Sequence, residues 1–291
     1  MKLLTLFAAL LISQDPAVDR AQKILAKSPD DPAANLVLAA HHASLAEWDL
    51  AIPRFEKAKG PEIRAAVEAE KKADENQFAA VEAGDAWTKA LGKAGAARQA
   101  CLDRASFWYA KAWPKLDDFG KGQLRERLSK LYRPAAARAG VKPEKWGGPV
   151  DPAHKVDPAA PVVHSGGAAL KFVPGAKAKN ASFLRSPTLA LPKGKVVEFS
   201  AWVFSDGTDS LDDAIRFSVA DAAGKPIMTK AIVIPTDTPV WTRLSERVDL
   251  GDAAGRASIE VVVFSAKGFV VVDDFSLRVD GKDVLKGGNF E

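Results

Sequence analysis

The chain has 291 residues, of which 47% are hydrophobic and 27% charged, and its net charge is +4. That balance describes folded material with room for two cores and excludes a disordered or membrane-embedded whole. The basic excess lies in the first half, interleaved with acids as on solvated helix faces, and no basic stripe alternates with aromatics, so no nucleic acid is expected as a partner.

In the opening segment, residues 1–14, a lysine precedes an apolar run and a polar break follows it. This is the layout of a secretory signal, and the run is too short to span a bilayer in the mature chain. The alternative is an amphipathic first helix. The signal reading predicts a secreted or periplasmic protein without a membrane span. Cys101 is the single cysteine, which excludes an intrachain disulfide. Its setting, ARQACLDRASFWY, has apolar helical spacing and predicts a buried structural thiol.

Residues 15–140 are Ala-rich, with apolar residues at three and four spacing, and predict a helical domain. SPDDPAAN, residues 28–35, supplies a helix-start signal. Leu38, Ala39, His42, Ala51, Phe55 and Ala58 then stand at the offsets of a tetratricopeptide-type helical hairpin, with small residues where two helices must approach closely. A weaker second copy puts Gly84, Trp87, Ala105, Tyr109 and Ala112 at matching offsets. The phrases GDAW and RASFWYAKAWP resemble a tetratricopeptide-like helical segment of secreted planctomycete proteins, which implies a scaffold or interaction role. His41 and His42 are sequence neighbours, so their side chains diverge and do not form the i, i+4 pair that chelates one metal.

Residues 141–160 are crowded with Pro and Gly, carry neither period, and predict a linker. From 161 to 291 the period falls to two. KVVEFSAWVFSD, DAIRFSVAD, WTRLSERVDL, RASIEVVVFSA and GFVVVDDFSLRVD read as short alternating strands between turn clusters, the pattern of an antiparallel β-sandwich. The fold class is multidomain α plus all-β, a helical-repeat domain followed by a sandwich. HSGGAALKF, FSAWVFSD, DAAGKPI, WTRLS and VVVDDFSL resemble, in order, the carbohydrate-binding modules of families four, nine and twenty-two. The resemblance implies a galactose-binding-like jelly roll.

Alternation in KVVEFSAWVFSD puts Val197, Phe199, Ala201 and Val203 on a core face and Glu198, Ser200, Trp202 and Phe204 on the other. An acid, a hydroxyl and a large ring on one face suit stacking on a pyranose and fixing of its hydroxyls. Neighbouring strands add Arg216 and Glu260, and the segment after ALKF adds Arg185. The expected glycan-binding set is therefore Trp202, Glu198, Phe204, Arg216, Glu260 and Arg185. The alternative is that the helical domain covers Trp202 and Phe204. Trp241 reads as a core anchor. Ser165 lacks a strand-turn-helix elbow and an oxyanion motif, and no opposed carboxylate pair is marked, so no enzyme is expected.

The chain closes on DGKDVLKGGNFE, in which DGKD is a hairpin signal. In the resembled modules an NGxFE strand opens the domain and pairs with the closing strand that bears the Asp pair. The resemblance therefore implies a circularly permuted edge strand, with the stub of a further module as the alternative. It also implies a structural calcium held by Glu291 and by Asp273 or Asp274, a hard cation taking roughly six to eight oxygens. The other role open to Asp273 and Asp274 is hydrogen bonding to neighbouring backbone. The expected function is a secreted, non-catalytic binding protein with polysaccharide or a cell-envelope protein as partner. Its rival is a cell-envelope scaffold that makes protein contacts and binds no glycan.

Overall fold

The computed structural model describes residues 15–132, 146, 155–157, 162–165, 169–173, 182–191, 193–251 and 255–285. The signal segment, most of the expected linker, and the last residues with Glu291 lie outside them. Two compact units make up the chain, Met1–Lys115 and Leu116–Glu291.

The first unit carries helices α1 (Pro16–Leu25), α2 (Pro32–Ser44), α3 (Trp48–Lys57), α4 (Pro61–Glu70), α5 (Gln77–Ala90) and α6 (Arg98–Ala112). Their starts follow from the sequence. Proline opens α1, α2 and α4, where a missing N–H removes nothing from the helix. Asp15, Asp31 and Asn76 cap α1, α2 and α5 by accepting backbone N–H groups that have no partner inside the helix. Neighbouring helices α2 and α3 pack together, as do α5 and α6. Leu38, Ala39, Ala51, Phe55 and Ala58 are buried in the first pair, and Gly84, Trp87, Ala105, Tyr109 and Ala112 in the second.

Two polar groups knit this unit. The Asn35 amide donates to the carbonyls of Pro29 and Asp31 and accepts from Arg54 Nη1 at 3.0 Å. Arg104 lies with its guanidinium carbon 4.5 Å from the ring centroids of both Trp48 and Phe107, and it donates to both oxygens of Glu70, which also accepts from Trp87 Nε1 at 2.8 Å. A buried ion pair is stable only when its spare lone pairs are satisfied in this way. His42, placed by its spacing at a packing position, is half-buried instead, its Nδ1 2.7 Å from a Glu47 carboxylate oxygen.

Leu116–Glu291 begins with α7 (Asp118–Leu131), which by its period belongs with the helices but by packing belongs with the sandwich. Arg125 reaches Asp206 at 2.8 Å and Asp237 at 3.0 Å, and the Tyr132 hydroxyl just past α7 accepts the Trp241 backbone N–H.

Eleven strands follow among the described residues: β1 (Lys155–Asp157), β2 (Leu170–Val173), β3 (Ser182–Arg185), β4 (Leu189–Leu191), β5 (Val196–Asp206), β6 (Ala214–Ala220), β7 (Pro226–Val233), β8 (Thr242–Asp249), β9 (Gly255–Val263), β10 (Phe269–Val279) and β11 (Lys282–Asp283). One sheet runs β1-β2-β10-β5-β8, with β11 also paired to β10. The other runs β3-β9-β6-β7, with β4 also paired to β9. All pairings are antiparallel. The inner faces share one core, in which Phe199 of the first sheet stacks on Phe217 of the second at 5.2 Å between centroids.

Part of the expected linker joins this unit: β1 extends the first sheet, and Trp146 packs in the core against Phe275. The DGKD signal forms its hairpin. Asp280 and Gly281 both have positive φ, the conformation a two-residue turn between twisted strands requires, and Leu285 then enters the core. The outer strand β7 carries Pro226, without an N–H, and an exposed Lys230.

A Cβ on Gly84 would lie 2.4 Å from the Tyr109 ring, so glycine sets the approach of α5 and α6. Gly84→Ala is expected to lower stability by about 1–3 kcal/mol through overpacking, read as a lower urea midpoint. An unchanged midpoint would mean that the helices move apart freely. Burial, with a smaller push from Asp103, raises the Cys101 thiol to about 12 from its ordinary 9.0. The neutral thiol is then favoured by folding, a contribution present below pH 9.0 and lost as pH rises towards about 12. Cys101 is expected to ignore a thiol reagent at neutral pH until the chain is unfolded.

Candidate functional site

The outer faces of the two sheets differ, and the difference starts in β10. Its register against β5 shifts between Asp273 and Ser276, and Asp274 has φ +47°, the mark of a bulge that adds one residue. Val270 and Val272 point into the core before it, Phe275 and Leu277 after it. The extra residue turns Asp273 and Asp274 towards the segment at His164 and Ser165.

Asp273 has no exposed surface, and its carboxylate accepts the backbone N–H groups of His164 at 3.0 Å, Ser165 at 3.3 Å and Asp274 at 2.8 Å. Burial pushes its carboxyl up to about 8. The Asp274 charge adds to this, while His164 and the N–H donors oppose it. Asp274 receives His164 Nδ1 at 2.7 Å and the Ser165 hydroxyl at 2.8 Å. The His164 ring so held lies flat on Trp202, 3.9 Å between centroids, and edge-on to Trp241 at 5.6 Å.

This closes the face on which Trp202, Glu198 and Phe204 stand. Trp202 is half-buried under His164. Phe204 keeps only 6% of its surface, packed among Tyr132, Trp241 and Phe269. Arg243 of β8 donates to Glu198 at 3.1 Å and to Ser200 at 3.2 Å. Trp241 is fully buried in this cluster, outside the core between the sheets.

The outer face of the second sheet is open towards the turn at Asp221–Pro226, whereas its outward-facing Val262 and Ala214 at the other end are buried. A cleft of about 460 Å³ lies between β3, β9, β6 and β7 and the turn at Asp221–Pro226. Its floor is a row of hydroxyls, because Ser258, Ser218 and Thr229 are register partners on adjacent strands. The next row pairs Arg185 with Glu260, whose Cα partner on the other side is Arg216. Arg185 Nε and Nη2 lie 2.6 and 2.5 Å from one oxygen of Glu260. Arg256 stands at the turn end of β9, and Phe264, 41% exposed, follows the other end of that strand.

The six expected glycan residues are thus divided. Trp202, Glu198 and Phe204 lie on the first sheet, and Arg185, Arg216 and Glu260 come together on the second. The period-two pattern gives the face of a strand but not the sheet that the next strand joins, and β5 and β6 fall in different sheets. Nothing local in the sequence marks His164, whereas Arg256 and Ser258 precede Glu260 at spacings of two and so share its face.

A resident calcium does not fit the described residues. The oxygens of Asp273 and Asp274 face N–H and O–H donors, the opposite polarity to a cation's shell, and Glu291 lies outside the described residues. No group of three or more His, Cys, Asp or Glu placed to hold a metal occurs among the described residues. No described helix is long and apolar enough to cross a membrane.

No protein-family profile matches the chain, and no curated protein matches it. Solved structures align with its C-terminal half. The enzymatically active domain of bacteriophage CBA120 tailspike protein 4 is 14% identical over 50% of this chain and 20% of its own, with a TM-score of 0.39. A family 16 carbohydrate-binding module is 15% identical over 46% of this chain and 91% of its own, at 0.35. The family 61 module TmCBM61, solved with β-1,4-galactotriose, is 23% identical over 50% of this chain and 98% of its own, at 0.34. The chain thus spans one fifth of the tailspike domain and nearly all of each module.

His164→Ala is expected to uncover Trp202, seen as stronger acrylamide quenching of tryptophan fluorescence, and to lower stability by about 1–3 kcal/mol as Asp274 loses a donor. Unchanged quenching would show that the ring does not cover the indole. Because a ligand held only by the folded state raises apparent stability, millimolar calcium is expected to leave the Tm unchanged. A rise would assign a cation shell completed by residues outside those described.

Proposed function

We propose that the sandwich is a non-catalytic glycan-binding module, exported with the helical unit as its carrier, and that the glycan occupies the cleft on the second sheet. The observation that carries this reading is the convergence of Ser218, Ser258, Thr229 and the Arg185–Glu260 pair on one open concavity. Hydroxyls and planar charged groups in fixed geometry match the donors and acceptors around a sugar ring. The non-catalytic part is supported by the state of the two lining carboxylates. Glu260 is held by Arg185, and Asp221 accepts the N–H groups of Ala223 and Lys225 in its own turn.

The rival scaffold reading has its own support in the helical unit, where Phe78 is 65% exposed and Leu50 and Phe107 are also open to solvent. Such rings suit protein contacts. The two readings are alternatives for the whole chain, since the scaffold reading uses both units for protein contacts and has no glycan.

Affinity electrophoresis of the full chain through gels containing polysaccharides tests the module. Retardation is expected with at least one polysaccharide, to be abolished by Ser218→Leu, which fills the cleft without entering the core. Trp202→Ala is expected to retain it. The reverse pattern would move the site to the first sheet, and free migration in every gel would leave only the scaffold reading.

A further inference from the structure

Resting on the glycan reading, the charge and ring content of the cleft go further and name a class of glycan. No aromatic side chain is among the described residues that line the cleft. Neutral sugars are held largely by stacking on such rings, since their hydroxyl hydrogen bonds only replace those made to water. What the cleft offers instead is guanidinium.

Arg185 is pre-oriented. Glu260, 7% exposed, holds Nε and Nη2 from one side, while the arginine side chain as a whole is 58% exposed. The remaining Nη1 edge is therefore a fixed pair of donors on the cleft wall. Arg256 lies four residues along β9 on the same face, about 13 Å away at the rise of a strand, and is exposed. Between them lies the hydroxyl row. Arg216, the Cα partner of Glu260, is not among the residues that line the cleft, and Arg256 makes no ion pair among the described residues. The described carboxylates that line the cleft with Arg185 and Arg256 are Glu260 and Asp221. The first is neutralised by Arg185 and the second accepts its own turn's N–H groups. The open cleft thus presents the free edge of Arg185 and the exposed Arg256 as planar forks, which match the flat or tripod oxygens of an oxyanion better than they match a hydroxyl.

We infer that the ligand of this cleft is an anionic polysaccharide, whose carboxylate or sulfate groups are received by Arg185 and Arg256 while the sugar hydroxyls meet Ser218, Ser258 and Thr229. The shared chemistry is an oxyanion on a sugar; uronic acids and sulfate esters are its two sources.

The test is affinity electrophoresis of the full chain in gels of polygalacturonate, carrageenan, neutral galactan and xylan, with dissociation constants by calorimetry on the same polymers. Retardation by polygalacturonate alone assigns the carboxylate, by carrageenan alone the sulfate, and by both the shared oxyanion. The affinity is expected to fall steeply between about 0.05 and about 0.5 M sodium chloride. Arg256→Gln is expected to weaken it about tenfold or more, and Arg256→Lys to restore part of the loss. Arg247→Gln, an exposed cation on the first sheet, is the control and should change nothing. Equal, salt-insensitive retardation by the neutral polymers would overturn the inference and leave the glycan reading standing. Retardation by none of the polymers would overturn both. An equal loss in Arg247→Gln, or equally tight binding of single-stranded DNA, would reduce the cleft to an unspecific positive surface and overturn the inference.

Discussion

A carboxyl group with no contact to water must find its hydrogen-bond partners within the protein, and Asp273 is such a group. Its three donors are backbone N–H groups, two of them from the His164–Ser165 segment, and that segment is brought to it by one extra residue in β10. The rest of the sandwich follows from this requirement. The bulge inverts the side-chain alternation, so Phe275 and Leu277 complete the core. The strap it attracts lays His164 on Trp202 and closes the outer face of the first sheet.

With one face closed, the open face is fixed. Around the cleft the second sheet has no strap across β9 and β6 among the described residues, and its outward side chains there are small hydroxyls, the Arg185–Glu260 pair and Arg256. The two faces thus divide the aromatic and the polar capacity of the fold. Rings gather where they are packed, and hydrogen-bonding groups gather where solvent and solutes arrive.

Much of this was legible in the sequence. The change from helical to strand period, the core alternation of Val197, Phe199, Ala201 and Val203, and the Asp280–Gly281 hairpin all follow from local rules, and the structure has them. The candidate site was legible only in part, because its members meet across strands far apart in sequence. Arg185 and Glu260 are separated by 75 positions, and nothing local announces their pairing. The bulge at Asp273 and Asp274 was illegible for a related reason. An Asp-Asp pair inside an apolar run suggests a charged site, yet only the tertiary arrangement decides that the extra residue is absorbed and that its oxygens face donors rather than a cation. The grouping of α7 is a third case. Its period marks it as helix, while Arg125 and Tyr132 bind it to the sandwich through Asp206, Asp237 and the Trp241 backbone.

The outer strand β7 has a consequence for how the protein behaves at high concentration. Among the described residues it borders its sheet with no strand paired to its outer side, and it carries Ile227 and Val233, 44% and 54% exposed, the makings of an adhesive edge. Pro226 at its start withholds a donor, and Lys230 at its middle would set like charges against each other wherever two such edges met. The sheet therefore resists lengthening into fibres by its own border, and the exposed cleft beside that border can stay open in solution without recruiting a second copy of itself.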